Sequence, residues 1–248
     1  MSTISEIASM LPPLFSGAGI TISVSVLSYA VALVLGLLLA FARRSKFPAL
    51  RWSAAAYIQF VRGTPLLLQL FFIYYVLPYV GIIFSPFVAG VIGLSINYAA
   101  YMAEVFRSGI NAVPRGQTEA GASLALSGAQ IMRCVVFPQA LRIVIPPIGN
   151  FFVAIFKDSA LVSVITMRDL MFSGELLASS TFKHFEIFTI VAVIYFLISY
   201  PAAKLVELVE WFTDPARKGR SQGLPANASA GGGSNQSAPL VSRASEPV

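Results

Sequence analysis

From Gly17 to Phe41 the chain runs 25 residues without a charge. At about 1.5 Å per residue, a helix of that length crosses the ~30 Å hydrocarbon layer of a bilayer. A soluble fold would have to bury such a run on all sides. The rest of the chain offers little to do that with, being 56% hydrophobic and 11% charged with a mean hydropathy of +0.77. Composition therefore places the whole chain among polytopic membrane proteins. No Lys or Arg precedes the run and no small-x-small cleavage site follows it, so it reads as a retained span rather than a signal peptide.

Four more spans follow from the same reasoning. Gly63 to Ala103 is 41 residues without a charge, too long for one crossing, and Pro78, Gly81 and Pro86 supply breaks in its middle. Spans are expected near 63–80 and 86–106, then near 137–156 and 186–206. The expected fold is all-α with five transmembrane helices. An extracytoplasmic segment, 1–16, precedes a membrane domain, 17–212. The segment 213–248, rich in Gly, Ser, Ala and Pro, is expected to be a disordered cytoplasmic tail.

With five spans the termini lie on opposite sides. One side then collects 14 of the 17 Lys and Arg residues, leaving only Lys157, Arg168 and Lys183 on the other. The excess of basic residues marks the cytoplasmic side, which puts the N-terminus outside and the C-terminus inside. The same distribution explains the net charge of +6 without nucleic acid, because the basic residues sit in short loops. A lone Cys134 and a lone His184 offer no disulfide, zinc cluster or other metal site. No nucleophile and base pair suggests a catalytic residue.

The longest cytoplasmic loop, about 112–134, has a different character. Pro114 suits the first turn of a helix through Leu126. Ser127 with Gln130 three residues on has capping-box spacing for a second helix, and Pro138 suits the first turn of the next span. Ala120, Gly121, Ala122 and Ala125 permit close backbone approach, so two short helices meeting at an angle would form a knob that fits a groove on a partner.

This loop resembles the coupling loop of the inner-membrane permease subunits of bacterial ABC importers, whose pattern is E-A-A, three residues, G, nine residues, I-x-L-P. Glu119, Ala120 and Pro138 match, and Val135 stands for the Ile. Gly121 replaces the second Ala, Ala125 the Gly and Phe137 the Leu. FVRGTPLLLQLFF (60–72), NYAAYMAEVFRSGI (97–110), FPQALRIVIPPIGN (137–150) and KDSALVSVI (157–165) look like the polar amino acid branch of that family. The resemblance covers roughly Ser16 to Phe212.

It implies a type I importer working by alternating access in the bacterial inner membrane, among membrane lipid. Two permease subunits, identical or paralogous, would form the pathway. An ABC ATPase dimer would bind the coupling loops, and an extracytoplasmic amino acid binding protein would deliver substrate. Glu119, Ala120, Gly121, Ser127, Gly128 and Pro138 would couple to the ATPase. The residues themselves agree that the chain is not the ATPase. A P-loop needs Gly before its Lys, and Lys46, Lys157, Lys183, Lys204 and Lys218 follow Ser45, Phe156, Phe182, Ala203 and Arg217. No cofactor is expected on this chain, and ATP and Mg would serve the partner ATPase.

Charged side chains within spans are costly and mark candidate pathway residues. Asn97, Tyr101, Glu104 and Arg107 fall on one helical face. Asn97 and Glu104 are candidates for the pathway, against the plainer alternative that Glu104 and Arg107 form an i,i+3 ion pair near the cytoplasmic end. Asp158, Ser159 and Ser163 at the outer end of the fourth span could accept from an amino acid's ammonium, or merely cap a helix in headgroups. Thr166 and Asp169 have capping-box spacing for a short outer helix through about Ala178. Arg62 is expected to reach cytoplasmic headgroups, with Pro65 in the first turn of the second span. The rival function, an autonomous secondary transporter or channel, would want an acidic ion site deep in the membrane, and Glu104 is thin support for one. A nonenzymatic scaffold would not need the knob.

Overall fold

The computed structural model describes residues 3–213, with side chains from Met10 onward, and among these there is no strand. The expected tail lies outside the described residues. Helix α1 spans Thr3–Arg43, so the helix extends through most of the N-terminal segment before the uncharged run. It buries Leu14, Ala18, Thr21, Ser25, Ser28, Ala32 and Ala40, a stripe at helical spacing made largely of small residues. That stripe packs against α4 (Pro86–Ala112), the helix with which α1 makes its most extensive contact. Close approach is what small residues allow inside a membrane, where dispersion rather than water expulsion drives helix association. A Cβ on Gly36 would lie 2.8 Å from Met102 Cβ and 3.1 Å from the Ala99 carbonyl oxygen. Ser95 Oγ donates to the Ser28 carbonyl at 3.2 Å, fixing the register.

Around this pair stand α2 (Pro48–Arg62), α3 (Leu66–Phe71), α7 (Phe137–Asp158) and α9 (His184–Thr213). Four helical runs are long and apolar enough to cross a membrane, namely α1, α4, α9 and 128–165. A fifth crossing is supplied if α2 and the segment 66–80 count together, and these two are bent by 105° at Gly63-Thr64-Pro65. The expected span at 63–80 is thus the second limb of a bent pair whose first limb begins at Pro48. Pro65 does not occupy the first turn of a span but stands extended, φ −62° and ψ 137°, just before α3.

The expected knob is α5 (Arg115–Ser123) followed by α6 (Gly128–Gln130). Ser127 caps α6 as its spacing predicts. Its Oγ accepts from Gln130 N–H at 3.4 Å, and its own N–H donates to Gln130 Oε1 at 2.8 Å. The second coupling helix is not a separate piece. It continues through a π-helical stretch, Ile131–Val136, directly into α7, and Pro138 lies within this continuous run. The wider π turn relaxes the backbone just where proline cannot donate.

On the opposite side, a 3-10 stretch, Ser159–Ile165, leads to α8 (Leu170–Thr181). The outer helix exists, but its cap is Asp169, whose carboxylate accepts from Phe172 and Met171 N–H groups at 3.0 and 3.3 Å. Thr166 is not the cap. It sits in the left-handed region at φ 60°, with its Oγ1 3.1 Å from Tyr74 Oη.

Candidate functional site: a cavity at a broken helix

The Gly63-Thr64-Pro65 break opens a cavity of about 520 Å³ between the bent pair, α4 and α7. Arg62, Thr64, Asn97, Tyr98, Tyr101 and Asp158 supply its polar wall, and Phe151 and Leu161 its apolar one. Each side chain arrives for a local reason. Asn97, Tyr98 and Tyr101 share the face of α4 turned from α1, Asp158 ends α7, and Arg62 ends α2 where Gly63 stops the helix.

Tyr98 Oη donates to Asp158 Oδ2 at 2.7 Å, holding the carboxylate toward the cavity. Phe151 packs edge-on against Tyr98, with ring centroids 5.9 Å apart, and so fixes the phenol. The Arg62 guanidinium lies over the Tyr101 ring, 5.4 Å from its centroid. One cation and one anion therefore face a polar space large enough for a small solute. Such a pair matches the two ends of a zwitterion, Asp158 toward an ammonium and Arg62 toward a carboxylate.

Of the residues singled out in the sequence, the structure brings Asn97 and Asp158 together at this cavity. Glu104 lies elsewhere. Its Oε2 accepts from Arg107 Nη2 at 2.7 Å and Nε at 3.0 Å, and Oε1 is 4.0 Å from Arg43 Nη2, a three-charge cluster joining the ends of α1 and α4. Ser159 is fully buried and donates to the Phe156 carbonyl at 2.8 Å, and Ser163 is buried too, so neither lines the cavity. Arg62, Thr64, Tyr98 and Gln69 escaped the sequence reading as site residues. The available signal was Gly-Thr-Pro interrupting an apolar run beside an arginine, a helix break with a charge on its edge.

The knob is rigidly joined to the cavity walls. Glu119 and Ala120 are exposed, Leu124 is 75% exposed, and beneath them Ile110, Val113, Ile131, Val136 and Ala140 form one buried cluster. Gly121 is buried in the crossing, where a Cβ would lie 2.9 Å from Ile131 Cγ1. Between α5 and α6 the turn satisfies its own backbone. Leu126 N–H donates to the Gly121 carbonyl at 3.2 Å and Ala125 N–H to that of Ala122 at 2.9 Å, with Ala125 left-handed at φ 58°. This is the bonding pattern that usually carries Gly at the left-handed position. The turn thus forms with Ala125 at that position.

At the outer junction, Asp169 is fully buried among α1, α8 and α9. Leu170 N–H donates to Thr21 Oγ1 at 3.1 Å, and Tyr195 Oη donates to Asp169 Oδ2 at 3.4 Å. Burial pushes this carboxyl up to about 6, against the pull of its backbone and tyrosine donors toward lower values.

Comparison with known proteins decides what this framework belongs to. The family of binding-protein-dependent transport system inner membrane components matches residues 32–210. The chain belongs to this family. A probable amino-acid ABC transporter permease of Sinorhizobium fredii is 41% identical over 202 residues, covering 82% of this chain and 87% of the relative. A probable glutamine ABC transporter permease of Bacillus subtilis is 38% identical, covering 77% and 88%. A crystal structure of an amino acid ABC transporter with histidines aligns with a TM-score of 0.79 at 38% identity, over 85% of this chain and 98% of that one. The methionine transporter MetNI, in an inward-facing form, shares the fold, with a TM-score of 0.71 at 18% identity over 86% of this chain and 100% of that one. This chain is therefore the multi-pass inner-membrane permease subunit of an ABC importer for amino acids. Permeases of this family work with an ATPase and a second permease.

Proposed function

We propose that the cavity at the helix break holds the amino acid in transit, and that the exposed knob couples it to ATP hydrolysis in a partner. The observation that carries this reading is that α4 and α7 line the cavity and also anchor the knob. Asn97, Tyr98, Phe151 and Asp158 stand on the same two helices whose cytoplasmic parts hold α5 and the π stretch. A partner ATPase dimer, using ATP and Mg, would grip Glu119, Ala120 and Leu124, with Ser127 and Gly128 at the turn. Its closure would tilt α4 and α7 together and change access to the cavity. Gly121 and Pro138 act inside this transmission, one in the crossing and one in the continuous helix. Substrate would arrive from an extracytoplasmic binding protein, with the N-terminus outside and the C-terminus in the cytoplasm. The second permease subunit would be this chain again or a paralogue.

Two substitutions test the two ends of this path in the reconstituted complex. Glu119→Lys reverses an exposed charge at the partner surface, and charge reversal across an interface costs several kcal/mol, so coupled uptake should fall about 100-fold while membrane insertion is retained. Asp158→Asn keeps the shape and removes the charge. Uptake should fall about 10-fold or more while the ATPase still copurifies. Normal uptake in an assembled Asp158→Asn complex would remove the cavity from the pathway, and normal uptake in Glu119→Lys would remove the coupling role.

A further inference from the structure

A helix bent by 105° leaves backbone groups without helical partners, and away from water each of these is costly. The N–H groups at this break are met locally. Gly63 N–H donates to the Gln59 carbonyl at 2.9 Å, and Thr64 Oγ1 donates to that of Phe60 at 3.0 Å. The Val61 carbonyl accepts from Thr64 N–H only at 3.5 Å and from Thr64 Oγ1 at 3.4 Å, and the shorter bonds to it and to the Thr64 carbonyl come from one side chain beyond the break. Gln69 Nε2 donates to the Val61 oxygen at 2.9 Å, to the Thr64 oxygen at 3.2 Å and to Thr64 Oγ1 at 2.9 Å. At its other end, Gln69 Oε1 accepts from Asn97 Nδ2 at 3.2 Å, which ties the bend to α4.

Packing holds both flanks of the break, Val61 and Leu70 being buried, but not the break itself. The cavity of about 520 Å³ lies on one side of Thr64, and on the other lies an apolar groove of about 330 Å³ lined by Phe60, Gln69, Phe72 and Ile73. Thr64 lines both, so the break is a thin wall between two spaces. Beyond it, Tyr75 Oη donates to the Val164 carbonyl at 3.0 Å, so the angle of the second limb is connected to the outer loop.

We infer that Gln69 is a positioning residue for the transport cavity: its amide, held by Asn97, clamps the bend and thereby keeps Arg62 and Thr64 on the cavity wall. This rests on the cavity reading proposed above, but the clamp itself is tested without substrate. In the full complex, with Cys134→Ser as background, nitroxide labels at Ser53→Cys on α2 and Tyr79→Cys on the second limb report the bend as a distance distribution. Both sites are exposed, Tyr79 at 91%.

Gln69→Met fills the same volume without donors. The distribution should broaden, and the KM for the radiolabelled amino acid that the wild type takes up fastest should rise about 10-fold, with Vmax less affected. Gln69→Glu adds a readout that space-filling alone would not move. Protonated below about pH 4, its carboxyl can donate to one carbonyl; ionised at about pH 7, it opposes them. The distribution should therefore be narrower at the lower pH, beyond any shift the wild type shows from the other titratable groups lining the two spaces, Arg62, Asp158, Tyr57, Tyr98 and Tyr101.

A wild-type distribution in Gln69→Met overturns the clamp, as does a pH-independent distribution in Gln69→Glu, whereas a broadened distribution with unchanged KM overturns its link to the transport cavity. Should Gln69→Met fail to assemble, Gln69→Glu decides alone. The outcome stands apart from Asp158→Asn, since normal uptake in that variant would reject the cavity while leaving the label distances untouched.

Discussion

The chain changes helix direction at two places that handle their backbone in opposite ways. In the coupling turn, residues 124–127, every required partner lies within six residues. The carbonyls of Gly121 and Ala122 receive Leu126 and Ala125, and Ser127 and Gln130 cap each other. In the break at 63–65, the Val61 carbonyl has local partners only at 3.4–3.5 Å, and the shorter bonds to it and to the Thr64 carbonyl come from Gln69, itself held by Asn97 28 positions away. A turn that closes on itself keeps its angle whatever its neighbours do, which suits a surface that must present one shape to a partner. A break held by a distant side chain keeps its angle only while that contact lasts, which suits the wall of a pathway that must open and close.

The outer junction at 166–169 extends the comparison, because its cap is local but its anchorage to Thr21 and Tyr195 is distant. It gives the largest expected effect. The folded-state pKa of Asp169 is raised to about 6 from an ordinary value near 3.9, so the native protein holds this proton more tightly than the unfolded chain. The stability from this group is complete below about pH 4 and is lost as pH rises through about 6. The amount is on the order of 2–3 kcal/mol. Asp169→Asn keeps an acceptor for the cap and removes the titration. Melting of the purified complex from pH 4 to pH 8 should show a fall in the wild type that the variant lacks, and equal slopes would reject the buried-acid account.

Next in size is the knob itself. Gly121→Ala places a Cβ 2.9 Å from Ile131 Cγ1, and overpacking of this kind costs about 1–3 kcal/mol. Adding Ile131→Ala should recover part of the loss in thermal unfolding. If Gly121→Ala melts like the wild type, the crossing is looser than its geometry implies and the turn is not self-contained. The smallest effect runs the other way. Ala125 occupies φ 58°, where an L side chain costs about 1 kcal/mol, so Ala125→Gly should stabilise by several tenths to 1 kcal/mol. A decrease in melting temperature would mean that the turn draws on contacts of the Ala125 methyl group.

Much of this was legible in the sequence, and the boundary is physical. Long uncharged runs announce helices that lipid or protein must surround, and the membrane cores of α1, α4, α7 and α9 follow from length and hydropathy alone. The capping box at Ser127 is equally local and was read correctly. Motifs whose meaning depends on a distant partner were misread. Pro65 looked like a helix start because its neighbours do not reveal a 105° bend sustained by Gln69 and Asn97. Nothing near Arg62 in sequence reveals that its guanidinium lies over Tyr101 beside a cavity. Pro138 does stand in the first turn of α7, while the π stretch that joins this helix to the knob has no residue signature. Of the five candidate pathway residues, Asn97 and Asp158 reach the cavity, whereas Glu104 accepts from Arg107, Ser159 donates to the Phe156 carbonyl and Ser163 is buried away from the cavity.

That π stretch, Ile131–Val136, carries a consequence for how such a chain tolerates change in length. It lies between the knob and Asp158 in one unbroken helical run from Gly128 to Asp158, and each residue of a helix accounts for about 100° of rotation. Exchanging the exposed Cys134 for another residue alters only a surface. Deleting it would take one residue from turns that hold more residues than α turns do, so the stretch could close into α-helix without turning Asp158 by that full step, and the residue in excess is the length this segment can spare.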